Sequence, residues 1–255
     1  MIELVGAGKS YGPIRALHDV SLKADAGSVT CVLGDNGAGK STLIGIMSGL
    51  HPHTSGELLV DGVARTFSSP REALALGIAT VYQGLAVVPL MPVWRNFFLG
   101  SELVAGRYPL ASLRIREMKR IADAALRDMG IAVADIDQPI GTLSGGQRQG
   151  VAIARAIHFG ARVLILDEPT AALGVKQSGA VLKHIAAARD ADIGVVFITH
   201  NPHHAFLVGD HFVILKLGSV VLDARRSEVT LDQLTTQMAG GDELEQLAHE
   251  LGRPS

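Results

Sequence analysis

The nine residues "GDNGAGKST" at 34–42 fit the pattern G-x-x-x-x-G-K-[ST]: Gly34 opens it, Gly39 and Lys40 close it, and Ser41 follows. Such a loop cradles phosphate where a strand enters it and a helix leaves it. Upstream, "SVTCVL" (28–33) is an apolar, partly β-branched run that predicts a buried strand. Downstream, Leu43, Ile46, Met47 and Leu50 fall at i, i+3, i+4 and i+7, the spacing of an amphipathic helix. Glycines let backbone N–H groups turn inward around phosphate oxygens, and the helix N-terminus adds the positive end of its dipole. Lys40 can reach the β- and γ-phosphates, and the Ser41 hydroxyl can ligate Mg²⁺.

The letters GAGKS occur again at 6–10, in a different setting. Glu3 stands where the first glycine should be, and Gly12 and Pro13 would disrupt a helix entered there. Residues 6–10 are therefore expected to be a strand-to-turn connection, leaving one nucleotide loop in the chain.

With 255 residues, 47% hydrophobic and 19% charged, the chain is expected to fold around a sizeable core. Its net charge of −2 offers no basic stripe for nucleic acid. Cys31, the one cysteine, lies within the strand before the loop and reads as a buried residue of a reducing compartment. Mean hydropathy is +0.28, yet no run approaches the ~18 apolar residues that span a bilayer. The richest stretch, "LAVVPLMPVW" (85–94), is broken by Pro89 and Pro92, and the N-terminus lacks a signal-peptide layout. The chain is not expected to cross a membrane by itself.

"RVLILDEPT" (162–170) reads as a buried strand ending at Asp167, a carboxylate able to support Mg²⁺ in a phosphate-loop enzyme. Glu168 can act as general base on an attacking water. The alternative is a strand end with two solvated acids. Between the two motifs, "LSGGQRQGVAIARAI" (143–157) couples a Ser-Gly-Gly turn to a helix with Val151, Ala154 and Ile157 near helical spacing. Such a helix start can grip a second anion.

The order "GDNGAGKST", "VYQ" (81–83), "LSGGQ" (143–147), "VLILDE" (163–168) and "FITH" (197–200) resembles an ATP-binding cassette ATPase over residues 2–225. The resemblance implies an α/β fold: a P-loop NTPase core with a mixed, largely parallel sheet, an antiparallel β layer and an inserted helical subdomain at 86–160. The nucleotide-binding domain would span 1–225, and 226–255 would form a short helical tail. Two cassettes in this family meet head to tail, so the second grip would serve the partner's ATP. Tyr11 would stack on adenine, with a half-exposed strand-end aromatic as the alternative. Gly34, Asn36, Gly37, Ala38, Gly39, Lys40, Ser41 and Thr42 would hold ATP, and Ser144, Gly145, Gly146 and Gln147 would grip it in trans. Ser41, Gln83 and Asp167 would hold Mg²⁺. Glu168, His200 and Gln83 would be catalytic. For His200 the alternative is metal binding with His203 and His204; His51 and His53 read as loop residues.

"EPTAALGVKQ" (168–177) resembles the monosaccharide-import branch, although Gly174 stands where most relatives carry an aspartate that couples the two ATP sites. The implied function is the ATP-hydrolysing subunit of a membrane importer. It would act as a homodimer with transmembrane permease subunits and, indirectly, a solute-binding protein, at the cytoplasmic face of the membrane. The alternatives are an importer for another small solute, or a soluble ATPase of the same family uncoupled from transport.

"SGELLVDG" (55–62) predicts a strand and an Asp-Gly hairpin turn. In "RIREMKRIADAALRDMG" (114–130), Ile115, Met118, Ala122, Ala125, Leu126 and Met129 share one helical face. Trp94, Phe97 and Phe98 are expected either as an exposed interface for the membrane subunit or as core of the helical subdomain. "HFVILKLGSVVLDA" (211–224) predicts two strands, and "DELEQLAHEL" (242–251) a helix with Leu244, Leu247 and Leu251 on one stripe. No further regulatory domain is expected.

Overall fold

The computed structural model describes residues 1–106 and 111–239. In chain order these form β1 (Ile2–Tyr11), β2 (Ile14–Ala24), β3 (Val29–Leu33), α1 (Lys40–Met47), β4 (Ser55–Val60), β5 (Val63–Arg65), α2 (Pro70–Ala75) and β6 (Ile78–Val81). Next come α3 (Val93–Phe98), β7 (Val104–Ala105), β8 (Ser112–Leu113), α4 (Ile115–Asp128) and α5 (Gly145–His158). The remainder is β9 (Val163–Asp167), α6 (Val175–Asp190), β10 (Gly194–Thr199), α7 (Pro202–Val208), β11 (His211–Lys216), β12 (Ser219–Arg225) and α8 (Leu231–Met238).

Two sheets carry the fold. The larger has the order β12-β11-β3-β10-β9-β6, parallel except for β12. The smaller, β2-β1-β4-β5, is antiparallel throughout. Strand pleating sends successive side chains to opposite faces. Accordingly Val32, Ile165, Val196, Ile198 and Val213 join one core with Ile2, Leu4, Leu17, Leu58 and the buried side of α1. Their neighbours Cys31, Leu33, Leu164, Leu166, Phe197 and Phe212 join a second core with Val181 and Ile185 of α6 and Leu234 of α8. Strands covered on both faces read as unbroken apolar runs, as 163–166 does. A third core unites α3, α4 and α5 through Phe97, Phe98, Met118, Ala122, Leu126 and Val151. Each such large side chain contributes about 1.5–3 kcal/mol through burial.

Trp94, Phe97 and Phe98 are at most 7% exposed, so they are core of the helical layer and not an open interface. Phe97 and Phe98 pack their rings against Phe159 and His158, while the Trp94 indole N–H donates to Asp137 at 3.0 Å beside the Lys119 ammonium. On α4, Met118, Ala122 and Leu126 reach the core, whereas Ile115, in its first turn, is exposed. Helix α1 stops at Met47, so Leu50 lies beyond it and is 49% exposed; Gly49, at φ 77°, turns the chain away. The Asp61-Gly62 hairpin turn is present, with both residues at positive φ as a type I′ turn requires. The stretch 242–251 lies outside the described residues.

Residues 6–10 lie inside β1 and are not a connection ahead of a turn. Their glycines have a packing role. β1 is bulged between Leu4 and Lys9 against β2, and Gly6 adopts φ 57° while Ser21 Oγ accepts its N–H. Gly56 on β4 crosses so close that a Cβ there would sit 2.2 Å from the Gly6 carbonyl oxygen. Lys9 donates from Nζ to the Pro52 carbonyl at 2.7 Å. Gly56→Ala, at φ 76°, combines left-handed strain with that clash and should cost roughly 1–3 kcal/mol. Urea unfolding of the full chain measures this; an unchanged midpoint would show that the sheet relaxes around the methyl group.

Candidate nucleotide-binding and catalytic site

Parallel pairing brings the carboxyl ends of β3, β10, β9 and β6 to one sheet edge, where open α/β sheets bind ligands. The loop after β3 begins with Gly34, at φ 150°, where a Cβ would stand 2.4 Å from the Leu215 carbonyl oxygen. Gly39, at φ 106°, caps α1; a Cβ there would meet Leu17 Cδ2 at 2.8 Å. Only glycine permits both the turn and the close approach. Gly37, at φ 85°, faces open space. Ala38 is buried, its N–H donating to Asp35 and its carbonyl accepting from Gly218.

Lys40 is buried at the start of α1, and its ammonium donates to the carbonyls of Gly34 (2.5 Å) and Asp35 (3.0 Å). The loop thus folds around its own cation. Beside it opens a cleft of about 550 Å³ lined by Asn36, Gly37, Gly39, Lys40, Ser41 and Thr42. The same cleft receives Gln83 from the loop after β6, and Asp167 and Glu168 from the end of β9. Burial pushes the Asp167 carboxyl above its ordinary range; Glu168 adds to the rise, while Lys40 and the Gln83 backbone N–H oppose it. Glu168 has a left-handed backbone, φ 48°, and a side chain only 11% exposed. Its N–H donates to the Ile198 carbonyl, and both its carboxylate oxygens lie 2.9 Å from His200 Nδ1.

Tyr11 stands at the end of β1, edge-on to His51 and beneath the Lys9 ammonium, and does not line this cleft. Ile14, Arg15 and Ala16, the first residues of β2, and Leu217, in the turn after β11, line it instead. These four went unremarked in the sequence because they come from a strand start and a turn of two different sheets and belong to no motif. Gly34 and Ala38 line a hollow behind the loop with Leu215 and Met238.

Ser144, Gly146 and Gln147 line a different hollow, of about 740 Å³, with Lys176, Gln177 and Lys183. Ser144 and Gln147 form a capping box at the start of α5, and Gln147 Nε2 also donates to the Ala132 carbonyl at 2.7 Å. A Cβ at Gly145 would meet Leu173 Cδ2 at 2.4 Å, and one at Gly146 would meet the Gln177 carbonyl at 3.1 Å, so α5 starts tight against α6 and the turn before it. His200 and His204 face separate partners, Glu168 and Thr170, and no cluster of three or more metal-ligating side chains occurs among the described residues.

Folded Asp167 holds its proton more tightly than the unfolded chain does, so its ionisation costs stability as pH rises through that interval. Asp167→Asn should therefore raise the Tm of the nucleotide-free protein at pH 7, and the gain should vanish at acid pH, where both states are protonated. Calorimetry at the two pH values checks this; a lower Tm at pH 7 would mean that attraction to Lys40 outweighs burial.

A family model described as "ABC transporter" matches residues 17–171. The chain is 38% identical over 238 residues to the xylose/arabinose import ATP-binding protein XylG of Sulfolobus acidocaldarius, covering 93% of both chains. It is 41% identical over 243 residues to the fructose import ATP-binding protein FrcA of Rhizobium meliloti, again covering 93% of both. Against the ribose import ATP-binding protein RbsA of Lactococcus lactis it is 33% identical, spanning 94% of this chain and 48% of that one. In fold it matches the ADP conformation of MJ1267, an ATP-binding cassette of an ABC transporter, with a TM-score of 0.80 at 22% identity over 96% and 97% of the chains. The dimeric structure of MJ0796, a bacterial ABC transporter cassette, matches with a TM-score of 0.72 at 26% identity, over 89% and 99%. A phosphate loop at the sheet edge, a helical layer bearing LSGGQ and these likenesses lead to one conclusion: the chain belongs to the ABC transporter family, as an ATP-binding cassette.

Proposed function

We propose that this chain is the ATP-hydrolysing subunit of a membrane importer for a monosaccharide. The observation that carries the catalytic reading is the Glu168–His200 pair at the cleft that also holds Lys40, Ser41 and Asp167. The cargo class is supported by the relatives, whose names give xylose/arabinose, fructose and ribose import.

Backbone N–H groups of Gly37, Gly39, Lys40, Ser41 and Thr42 bind the phosphates of ATP, and the Lys40 ammonium neutralises them. Asp167, Gln83 and the Ser41 hydroxyl supply hard oxygen donors of the kind that suit Mg²⁺, which when bound neutralises charge developing on the phosphates. Glu168 polarises the attacking water, and His200 holds its carboxylate in place until it turns to the γ-phosphate. Ile14, Ala16 and Leu217 give the cleft an apolar end for the base. Ser144, Gly145, Gly146 and Gln147 act on the ATP of a second copy, a reading supported by their place outside this chain's cleft. Two copies then form a head-to-tail homodimer with two equivalent sites. ATP closes the pair and hydrolysis reopens it, driving permease subunits between inward and outward states at the cytoplasmic face of the membrane, with a solute-binding protein delivering the sugar. No helix among the described residues is long and apolar enough to cross a membrane.

Glu168→Gln is expected to keep nucleotide binding and lower ATP turnover by about 10²–10⁴-fold. Lys40→Ala is expected to weaken binding itself. Steady-state hydrolysis and nucleotide titration separate the two; equal turnover by wild type and Glu168→Gln refutes the general-base role. Uptake of a labelled monosaccharide panel tests the cargo in a deletion strain complemented by wild type or Glu168→Gln. Uptake of one sugar that needs the wild-type chain supports the reading. Hydrolysis by the purified chain with no sugar dependent on it overturns the monosaccharide assignment.

A further inference from the structure

We propose that His204 is a positioning residue for the catalytic turn, acting on Glu168 through Thr170. The segment 168–174 runs from the sheet edge to α6, and two of its non-glycine residues, Glu168 (φ 48°) and Ala172 (φ 56°), are left-handed. Such conformations persist only where the surroundings enforce them. From 169 to 174 the side chains are Pro, Thr, Ala, Ala, Leu and Gly, so Thr170 alone can tie the segment down by a side-chain hydrogen bond. It does so: its buried Oγ1 lies 3.0 Å from His204 Nδ1.

His204 is itself fixed. It sits in the first turn of α7, where the Asn201 side chain caps the helix by accepting the His204 N–H at 3.1 Å. His200 stands just before that cap and meets Glu168. One helix start therefore grips the turn at two points, His200 on Glu168 and His204 on Thr170, two residues apart. Burial, and then His203 and His200, hold the His204 imidazole below its ordinary range. A neutral ring adds no charge beside the His200–Glu168 pair. His204 does not line the cleft, so its effect is on geometry and not on nucleotide contacts. Beside the Ala171 N–H to the Glu168 carbonyl and the Ser178 hydroxyl on the Leu173 carbonyl, Thr170 supplies this segment's own side-chain anchor, Gly174 having no side chain to offer.

This inference rests on Glu168 as general base. The test is steady-state ATP hydrolysis by the full-length chain, with melting temperatures measured alongside, for His204→Ala, Thr170→Val, the double variant, His204→Asn and Glu168→Gln. Misplacing the base should lower kcat by roughly ten- to a hundredfold in both His204→Ala and Thr170→Val while KM for ATP stays within about twofold. The double variant should lose no more than either single one, because both remove the same bond. His204→Asn, whose amide oxygen can take the place of Nδ1, should recover most of the rate. Wild-type kcat in either single variant, or losses that multiply in the double, overturns the proposal. If His204→Ala fails to fold, Thr170→Val, which removes only a hydroxyl, decides alone. Full turnover by Glu168→Gln would bring down the underlying reading; an inactive Glu168→Gln beside an unimpaired Thr170→Val brings down this inference only.

Discussion

Parallel pairing of β3 with β10, and of β10 with β9, is the constraint on which the rest of the molecule depends. It places Leu33, Thr199 and Asp167 at the same edge, so the residues that follow them, the phosphate loop, His200 and Glu168, converge without further guidance. Strands in such an arrangement are covered on both faces, which obliges the chain to supply two cores. One is closed by the antiparallel sheet and α1, the other by α6, α7 and α8. The helical layer is a third body built on α5, whose far end packs back against the sheet through Ile153.

Charge in the cleft is arranged to be incomplete in the resting chain. A buried ammonium is satisfied by two carbonyls of its own loop, while Asp167 and Glu168 stand side by side with a raised Asp167 carboxyl. Under the proposed function, a polyanion with its counter-cation would give the loop N–H groups and Lys40 an acceptor and the two acids a positive neighbour. Sites built in this way trade resting stability for ligand binding.

The loop, the strand ends and the helical layer were legible because each has a strong local cause: glycine spacing, unbroken apolar runs, helical periodicity. Both strands of 211–224 and the Asp61-Gly62 turn were legible on the same grounds. Others depended on tertiary contact. Glu3 and Gly12-Pro13 already set residues 6–10 apart from a phosphate loop, but their place inside β1 and the close approach of Gly56 to Gly6, fifty residues away in the chain, show only in the packing. Trp94, Phe97 and Phe98 have the composition of an interface, and only the packing of α4 and α5 makes them core. Ile14 and Arg15 reach the cleft from the start of β2 and Leu217 from the turn after β11, placements that carry no signature in composition. His204 looked like one of a histidine cluster, and its partner Thr170 lies thirty-four residues earlier in the chain.

Cys31 offers a native reporter. It is the one thiol in the chain, fully buried in the middle of β3, with Sγ against the Ala205 carbonyl at 3.6 Å, and burial holds its thiol protonated. The reactive thiolate forms only when β3 leaves the sheet. The alkylation rate of the unmodified protein is therefore a clock for opening of the strand that feeds the phosphate loop, and nucleotide should slow that clock in proportion to how firmly it holds the sheet edge together.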